Sequence, residues 1–181
     1  MKATGIVRRI DDLGRIVIPK EIRRTMRIHE GDPLEIYTEH DGRVIFKKYS
    51  PIGELSEFAC QYADSLSKAT GLTACITDKD NIIAVSSNEK QKQRELKEKP
   101  ISSSIERIMQ SKDVFTCEDG SQRISITGDS EDFEAGVVAP IIYDGDPIGS
   151  VVFVKDESGE VTTVEQKLAE TAACFLGKTM E

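Results

Sequence analysis

The chain has little of what enzymes and metal centres are built from. Its two histidines, His29 and His40, both lie in the first 50 residues, and its four cysteines, Cys60, Cys75, Cys117 and Cys174, form no Cys-x-x-Cys pair. That spacing excludes a readable zinc site and a disulfide framework, so the expectation is buried free thiols in a reducing cytosol and no metal. No apolar run approaches the roughly 18 residues that span a bilayer, and the N-terminus is mixed in charge rather than an apolar signal segment. A soluble, cytoplasmic protein with no membrane partner is expected. Gly-x-Ser-x-Gly and the Walker phosphate loop are absent, and the carboxylates fall in surface-like runs. No catalytic residue is assigned, and the chain is expected not to be an enzyme.

What the chain does have is an uneven distribution of charge. It holds 24 Lys and Arg against 32 Asp and Glu, a net of −8. Residues 1–50 hold 11 against 8, a net of +3, which leaves 13 against 24, a net of −11, for residues 51–181. The basic excess is concentrated further, to 8 cations against 4 carboxylates in residues 1–30. A local cationic surface is therefore available to meet phosphates while the acidic remainder faces elsewhere.

The basic stretch is TGIVRRIDDLGRIVIPKEIRRTMRIHEGD, residues 4–32. Residues 5–10 and 15–18, rich in Ile and Val, read as two strands separated by the turn Asp11-Asp12-Leu13-Gly14. Side chains alternate along a strand, so Arg8 and Arg9 point to opposite faces. Pro19 pre-sets the first turn of a helix over residues 20–27. On a wheel of about 100° per residue with Ile22 at zero, Met26 falls near 40°, whereas Arg23, Arg27, Lys20 and Arg24 fall near 100°, 140°, 160° and 200°. One side is apolar and the other cationic. Residues 34–39 alternate as a third strand, and His40-Asp41-Gly42 turns into a fourth over residues 43–49. So small a unit buries little apolar surface alone, yet it is dense in Ile, Val and Leu. A dimer that merges two such units resolves the conflict and pairs two cationic helices.

TGIVRRIDDLGRIVIPKEIRRTMRIHEGDPLEIY, followed by DGRVIFKKY, closely resembles the AbrB-type transition-state regulators over the whole of residues 1–50. The resemblance implies a swapped-hairpin barrel, an obligate dimer that binds double-stranded DNA. It also implies that Arg8, Arg15, Arg23 and Arg24 contact DNA; the wheel selects Arg23 and Arg24 independently. Arg9, Lys20 and Arg27 are secondary candidates.

Ser50-Pro51-Ile52-Gly53 is the expected joint between a DNA-binding domain at 1–50 and a second domain at 51–181. Leu55, Phe58, Ala59, Tyr62, Ala63, Leu66 and Ala69 recur at helical spacing up to Gly71. Strands are expected over 72–77 and 81–86, then a mobile loop or an exposed helical turn over 88–99. That stretch, NEKQKQRELKEK, holds Lys90, Lys92, Arg94, Lys97 and Lys99 alternating with Glu; a solvated loop is favoured there over a second nucleic-acid site. Ser102-Ser103-Ser104 offers N-cap oxygens to a helix through Ile105, Ile108 and Met109. Strands at 114–117, 122–127, 136–143 and 147–155 follow, the last pair turning at Asp144-Gly145, and a helix over 161–180 closes the chain with an apolar arc wide enough for a sheet and a partner helix.

The fold class is α+β, with an AbrB-like swapped-hairpin barrel joined to a sensor-like module. VVAPIIYDGDPIGSVVFVKD with its flanking helices resembles a GAF domain. Two readings of that half stand: a pocket for a small molecule of unnamed identity, or an empty module that serves oligomerisation. No other cofactor is expected. Together the halves resemble AbrB-type regulators of spore-forming bacteria, which implies a cytoplasmic, nucleoid-associated activator or repressor of sporulation genes, dimeric through 1–50 and tetrameric through 51–181. The alternative is an antitoxin-like interaction protein that autoregulates by binding DNA. Such proteins usually carry a disordered acidic tail, whereas this chain continues into about 130 residues patterned for a folded core.

Overall fold

In the computed structural model, residues 5–117, 123–130, 132–155 and 161–180 are described. The chain divides into two compact units, Met1–Tyr49 and Ser50–Glu181.

The first unit is built from turns that the sequence specifies. Asp11 begins a three-residue loop in which Gly14 N–H donates to Asp11 O at 3.0 Å and Asp11 N–H to Arg15 O at 3.1 Å. The loop is completed by Gly14 at φ +78°, in the left-handed region where glycine alone is unstrained. Helix α1 (Lys20–Thr25) follows Pro19. Strands β1 (Leu34–Thr38) and β2 (Val44–Lys48) then pair antiparallel, Leu34 opposite Lys48 and Thr38 opposite Val44. Their loop repeats the first one's geometry: Gly42 N–H donates to Glu39 O and Glu39 N–H to Arg43 O, with Gly42 at φ +83°. Both are three-residue hairpin loops with the glycine at the left-handed position.

The strands expected over 5–10 and 15–18 form no ladder beyond the Asp11–Arg15 bond. A strand is defined by its neighbour, and within one chain these segments have none. Their apolar side chains remain in water: Val7 is 86% exposed, Val17 71% and Ile10 66%. No residue of α1 is buried, and Met26, placed by the wheel on the face to be covered, is 56% exposed. Pro19 is the one buried residue among the described residues of this unit.

The second unit is a five-stranded antiparallel sheet in the order β4-β3-β7-β6-β5. Its strands are β3 (Ala74–Asp78), β4 (Ile82–Ser86), β5 (Phe115–Thr116), β6 (Ala135–Tyr143) and β7 (Asp146–Val154). Helices α2 (Pro51–Glu54), α3 (Ser56–Thr70) and α6 (Thr163–Thr179) contribute to the core on one face, around Ile52, Ala59, Leu66, Val137, Phe153 and Leu176. Helices α4 (Lys90–Leu96) and α5 (Ser103–Ser111) close the other, around Leu96, Ile101, Ile105, Ile126, Val138 and Val152. Both faces being covered, the central strands are apolar at nearly every position rather than at alternate ones. The β6–β7 turn puts Asp144 at φ +48° and Gly145 at φ +79°, the pair of positive values that a two-residue hairpin of this twist requires.

Two glycines allow close approaches, Gly149 between the adjacent strands β7 and β3 and Gly177 between α6 and β6. A Cβ on Gly149 would lie 2.0 Å from Thr77 O, and one on Gly177 would lie 2.2 Å from Ile142 O, both backbone atoms. Gly177→Ala therefore forces α6 away from β6. It is expected to destabilise the unit by about 1–3 kcal/mol, the usual range for overpacking, read as a lower midpoint in urea at unchanged slope.

Three expectations are corrected. Of the two expectations for residues 88–99, the helical turn is found and the mobile loop is not: α4 forms there because one apolar side chain, Leu96, is fully buried and anchors it. Residues 123–127 make only isolated bridges, Ser125 to Glu134 and Thr127 to Ile101, and Gln122 lies outside the described residues. The Ser125 hydroxyl bonds the carbonyls of Thr127 and Ser130, a local pattern that competes with a ladder. Of the thiols, Cys75 is buried and Cys117 half-buried, but Cys60 and Cys174 are exposed on the outer sides of α3 and α6. Burial pushes the Cys75 thiol up to about 12. A thiol reagent at pH 8 is expected to label Cys60 and Cys174 in the native protein and Cys75 only after unfolding.

Candidate nucleic-acid interface

Helix α1 is a short cationic rod with well-defined ends. Pro19 occupies its N-cap, and Arg23 N–H donates to Pro19 O at 3.0 Å. The helix stops at Thr25, two residues before the expected end. Ile28 N–H donates to Arg23 O at 2.7 Å and Arg27 N–H to Arg24 O at 3.3 Å, the pair of bonds that closes a helix through a left-handed residue. That residue is Arg27, at φ +50°, where glycine is usual. Arg27 thus lies outside the helix, and its wheel angle no longer places it beside Arg23. Its carbonyl accepts a 2.8 Å bond from Lys48 Nζ, which ties the end of α1 to β2. Lys48 also lies 3.8 Å from the Asp32 carboxylate.

Lys20, Arg23 and Arg24 all project from α1 and are exposed, and neither arginine is ion-paired among the described residues. Arg8 and Arg9 are exposed on the extended segment before the first turn, and the single-chain geometry does not rank them. Arg15 is held differently from the rest. Its Nε donates to Asp11 Oδ2 at 2.8 Å, while the Leu13 and Arg15 backbone N–H groups donate to Asp11 Oδ1 at 3.1 and 2.7 Å. One edge of the guanidinium is fixed and the outer nitrogens are left for a partner. Asp11 was absent from the sequence-derived candidates; the signal was a carboxylate four residues before an arginine across a Gly-containing turn.

The Arg15 backbone N–H, then the Arg15 guanidinium, hold the Asp11 carboxyl below the usual carboxylate range. A depressed folded-state pKa means that the contact's contribution is present above the unfolded value and is lost as pH falls through the folded one. The turn is thus expected to be indifferent to pH from 5 to 8 as far as Asp11 is concerned. An NMR titration of its carboxyl should give a midpoint below 3.8; a midpoint at the ordinary value would mean that the Asp11–Arg15 contact does not form in solution.

An exposed cationic helix on a hairpin unit, joined to a two-faced antiparallel sheet with helices on both sides, defines a two-part regulator: an AbrB-like head and a GAF-like α+β module. Comparison with known proteins agrees. Residues 7–53 match the family described as antidote-toxin recognition MazE, bacterial antitoxin. Residues 54–181 match stage V sporulation protein T C-terminal, transcription factor. The chain is 52% identical to stage V sporulation protein T of Bacillus subtilis over 183 aligned positions, covering 100% of this chain and 99% of that one. It is 61% identical over 51 residues to the transition state regulatory protein AbrB of the same organism, covering 28% of this chain and 52% of AbrB. The GAF domain of a phosphoenolpyruvate-protein phosphotransferase from Coxiella burnetii superposes with a TM-score of 0.52 at 14% identity, over 68% of this chain and 80% of that one, a likeness of fold alone.

The chain belongs to the stage V sporulation protein T family. It is a transcriptional regulator of sporulation genes with an AbrB-like DNA-recognition domain, and not an enzyme. The antitoxin-like alternative accounts for residues 7–53 alone, since the remainder folds around its own sheet where that reading expects a disordered tail.

Proposed function

We propose that the first unit reads double-stranded DNA as a swapped-hairpin dimer, with Arg8, Arg15, Arg23 and Arg24 of each chain as the contacting residues and Arg9, Lys20 and Arg27 in secondary roles. The observation that carries this reading is the conjunction of exposed apolar segments at 5–18 with exposed, unpaired Arg23 and Arg24. The first requires a second chain to cover it, and the second is free for phosphates or base edges once it does. Within 51–181 the α3–α6 seam supports assembly into a tetramer: Tyr62 stacks on Phe175 at 5.6 Å, Phe58 lies 6.0 Å from both, and Phe175 is 47% exposed. The face under α4 and α5 is filled by fully buried side chains, which favours a module that assembles. A groove of about 400 Å³ beside α6, lined by Val114, Pro140, Ile142, Tyr143 and Lys178 among others, is large enough for a small molecule. The protein acts in the cytoplasm, on the nucleoid.

Binding the purified full chain to fragmented genomic DNA and sequencing the retained fraction tests the reading. A limited set of fragments sharing a sequence or shape feature is expected. Retention no greater than that of bulk DNA would contradict it.

A further inference from the structure

Five of the 13 cations in residues 51–181 fall within residues 90–99, where they form α4 and its exit rather than a loop. The structure sorts them into two groups. Lys92 and Lys99 are half-buried and ion-paired, to Glu89 at 2.8 Å and to Asp129 at 2.6 Å. Lys90, Arg94 and Lys97 are exposed and have no carboxylate partner among the described residues. These three recur at i, i+4 and i+7, so they share one side of the helix and its C-cap, roughly 100° or more from buried Leu96. The carboxylates of the same stretch offset them only in part: Glu89 is taken by Lys92, Glu95 accepts from Gln91 at 2.9 Å, and with Glu98 the three leave residues 88–99, which hold five cations, at a net of +2.

Like charges one turn apart destabilise a short helix by a few tenths of a kcal/mol each, and a unit of net −11 offers carboxylates enough to avoid it. The stripe is thus arranged for an anionic partner outside the unit. Seven residues of helix rise about 10 Å, the axial length over which one strand of duplex DNA presents about three phosphates.

We propose that Lys90, Arg94 and Lys97 form a second, sequence-independent DNA contact that engages backbone phosphates flanking the site held by the N-terminal head. The inference rests on that head binding DNA, which brings the polyanion to the chain at high effective concentration. Point charges on flexible stems carry no base readout, so the stripe adds affinity and salt dependence and leaves the preferred sequence unchanged.

The test compares the full chain with K90Q/R94Q/K97Q on a bound genomic fragment of about 60 base pairs, roughly 200 Å at 3.4 Å per step, and on the same site trimmed to about 20. On the long duplex the slope of log K against log salt is expected to be shallower in the variant by about 2.7 per engaged chain, at 0.9 per phosphate. The parent then loses about 40-fold more affinity than the variant between 50 and 200 mM salt. On the short duplex the two slopes should nearly coincide. Equal slopes on the long duplex would overturn the proposal. So would equal slopes with altered sedimentation, which would assign the stripe to an acidic face of a second copy. All three side chains are exposed, so the far-UV circular dichroism should not change. An R23A/R24A double variant run in parallel separates the failures: if it binds like the parent, the reading of the head has failed, whereas if it does not bind and the triple variant keeps the parent slope, only the stripe has failed.

Discussion

Arg23→Ala combined with Arg24→Ala is expected to abolish DNA binding in a gel shift while the protein sediments as the parent does. A lost arginine contact costs about 1–3 kcal/mol, and a dimer loses each contact twice. Either single substitution should therefore weaken binding by roughly 30-fold to 3 × 10⁴-fold, and the pair should remove it. The fold should not follow. Both side chains are exposed, no residue of α1 is buried, and the helix is closed at its end by backbone bonds from Ile28 and Arg27 that alanine leaves intact. Alanine is also the better helix former. Protein that lost binding together with its folded state or its assembly would remove these residues from the interface.

Residues 1–50 alone are expected to bind DNA about 10²- to 10⁴-fold more weakly than the full chain, because the tetramer proposed above would present two heads, the second binding intramolecularly. The seam proposed to hold the tetramer lies on α3 and α6, where Tyr62 stacks on Phe175, Phe58 packs tilted against both, and Phe175 keeps nearly half its surface in water. Phe175→Glu in the full chain offers the same comparison without truncation. A carboxylate there forfeits the contacts with Phe58 and Tyr62 but still reaches water in the single chain, whereas between copies it would be buried unpaired. Sedimentation should fall from tetramer to dimer, and affinity should fall with it. Equal affinity of the short and full chains, or a tetramer that survives Phe175→Glu, would remove the case for paired heads.

Much of the local structure was legible because it is decided by nearest neighbours. Asp144-Gly145 and Asp41-Gly42 named their turns, Ser102 and Gly71 named the ends of α5 and α3, and each is found where the turn or cap chemistry puts it. What was not legible depends on partners the pattern does not name. Residues 5–18 carry strand-forming side chains, but within one chain they have no neighbour to form a ladder with. Helix α4 was legible only as one of two alternatives, because a single buried leucine suffices to anchor it among charges. Residues 123–127 have the composition of a strand, yet hydroxyls of Ser125 and Thr127 prefer nearby carbonyls. In the candidate interface the cationic side of α1 followed from spacing alone, except at Arg27, where a left-handed cap ended the helix early. The Asp11–Arg15 contact depends on the turn closing, which spacing alone does not report.

The salt dependence of binding tests the dimeric, arginine-based head most directly. With four arginines from each of two chains on phosphates, the slope of log K against log salt for one head on a short duplex should be roughly −7, a loss of about 10⁴ in affinity between 50 and 200 mM. Contacts to base edges make it shallower in proportion. A slope near zero, with binding intact, would contradict the assignment of these arginines to the interface.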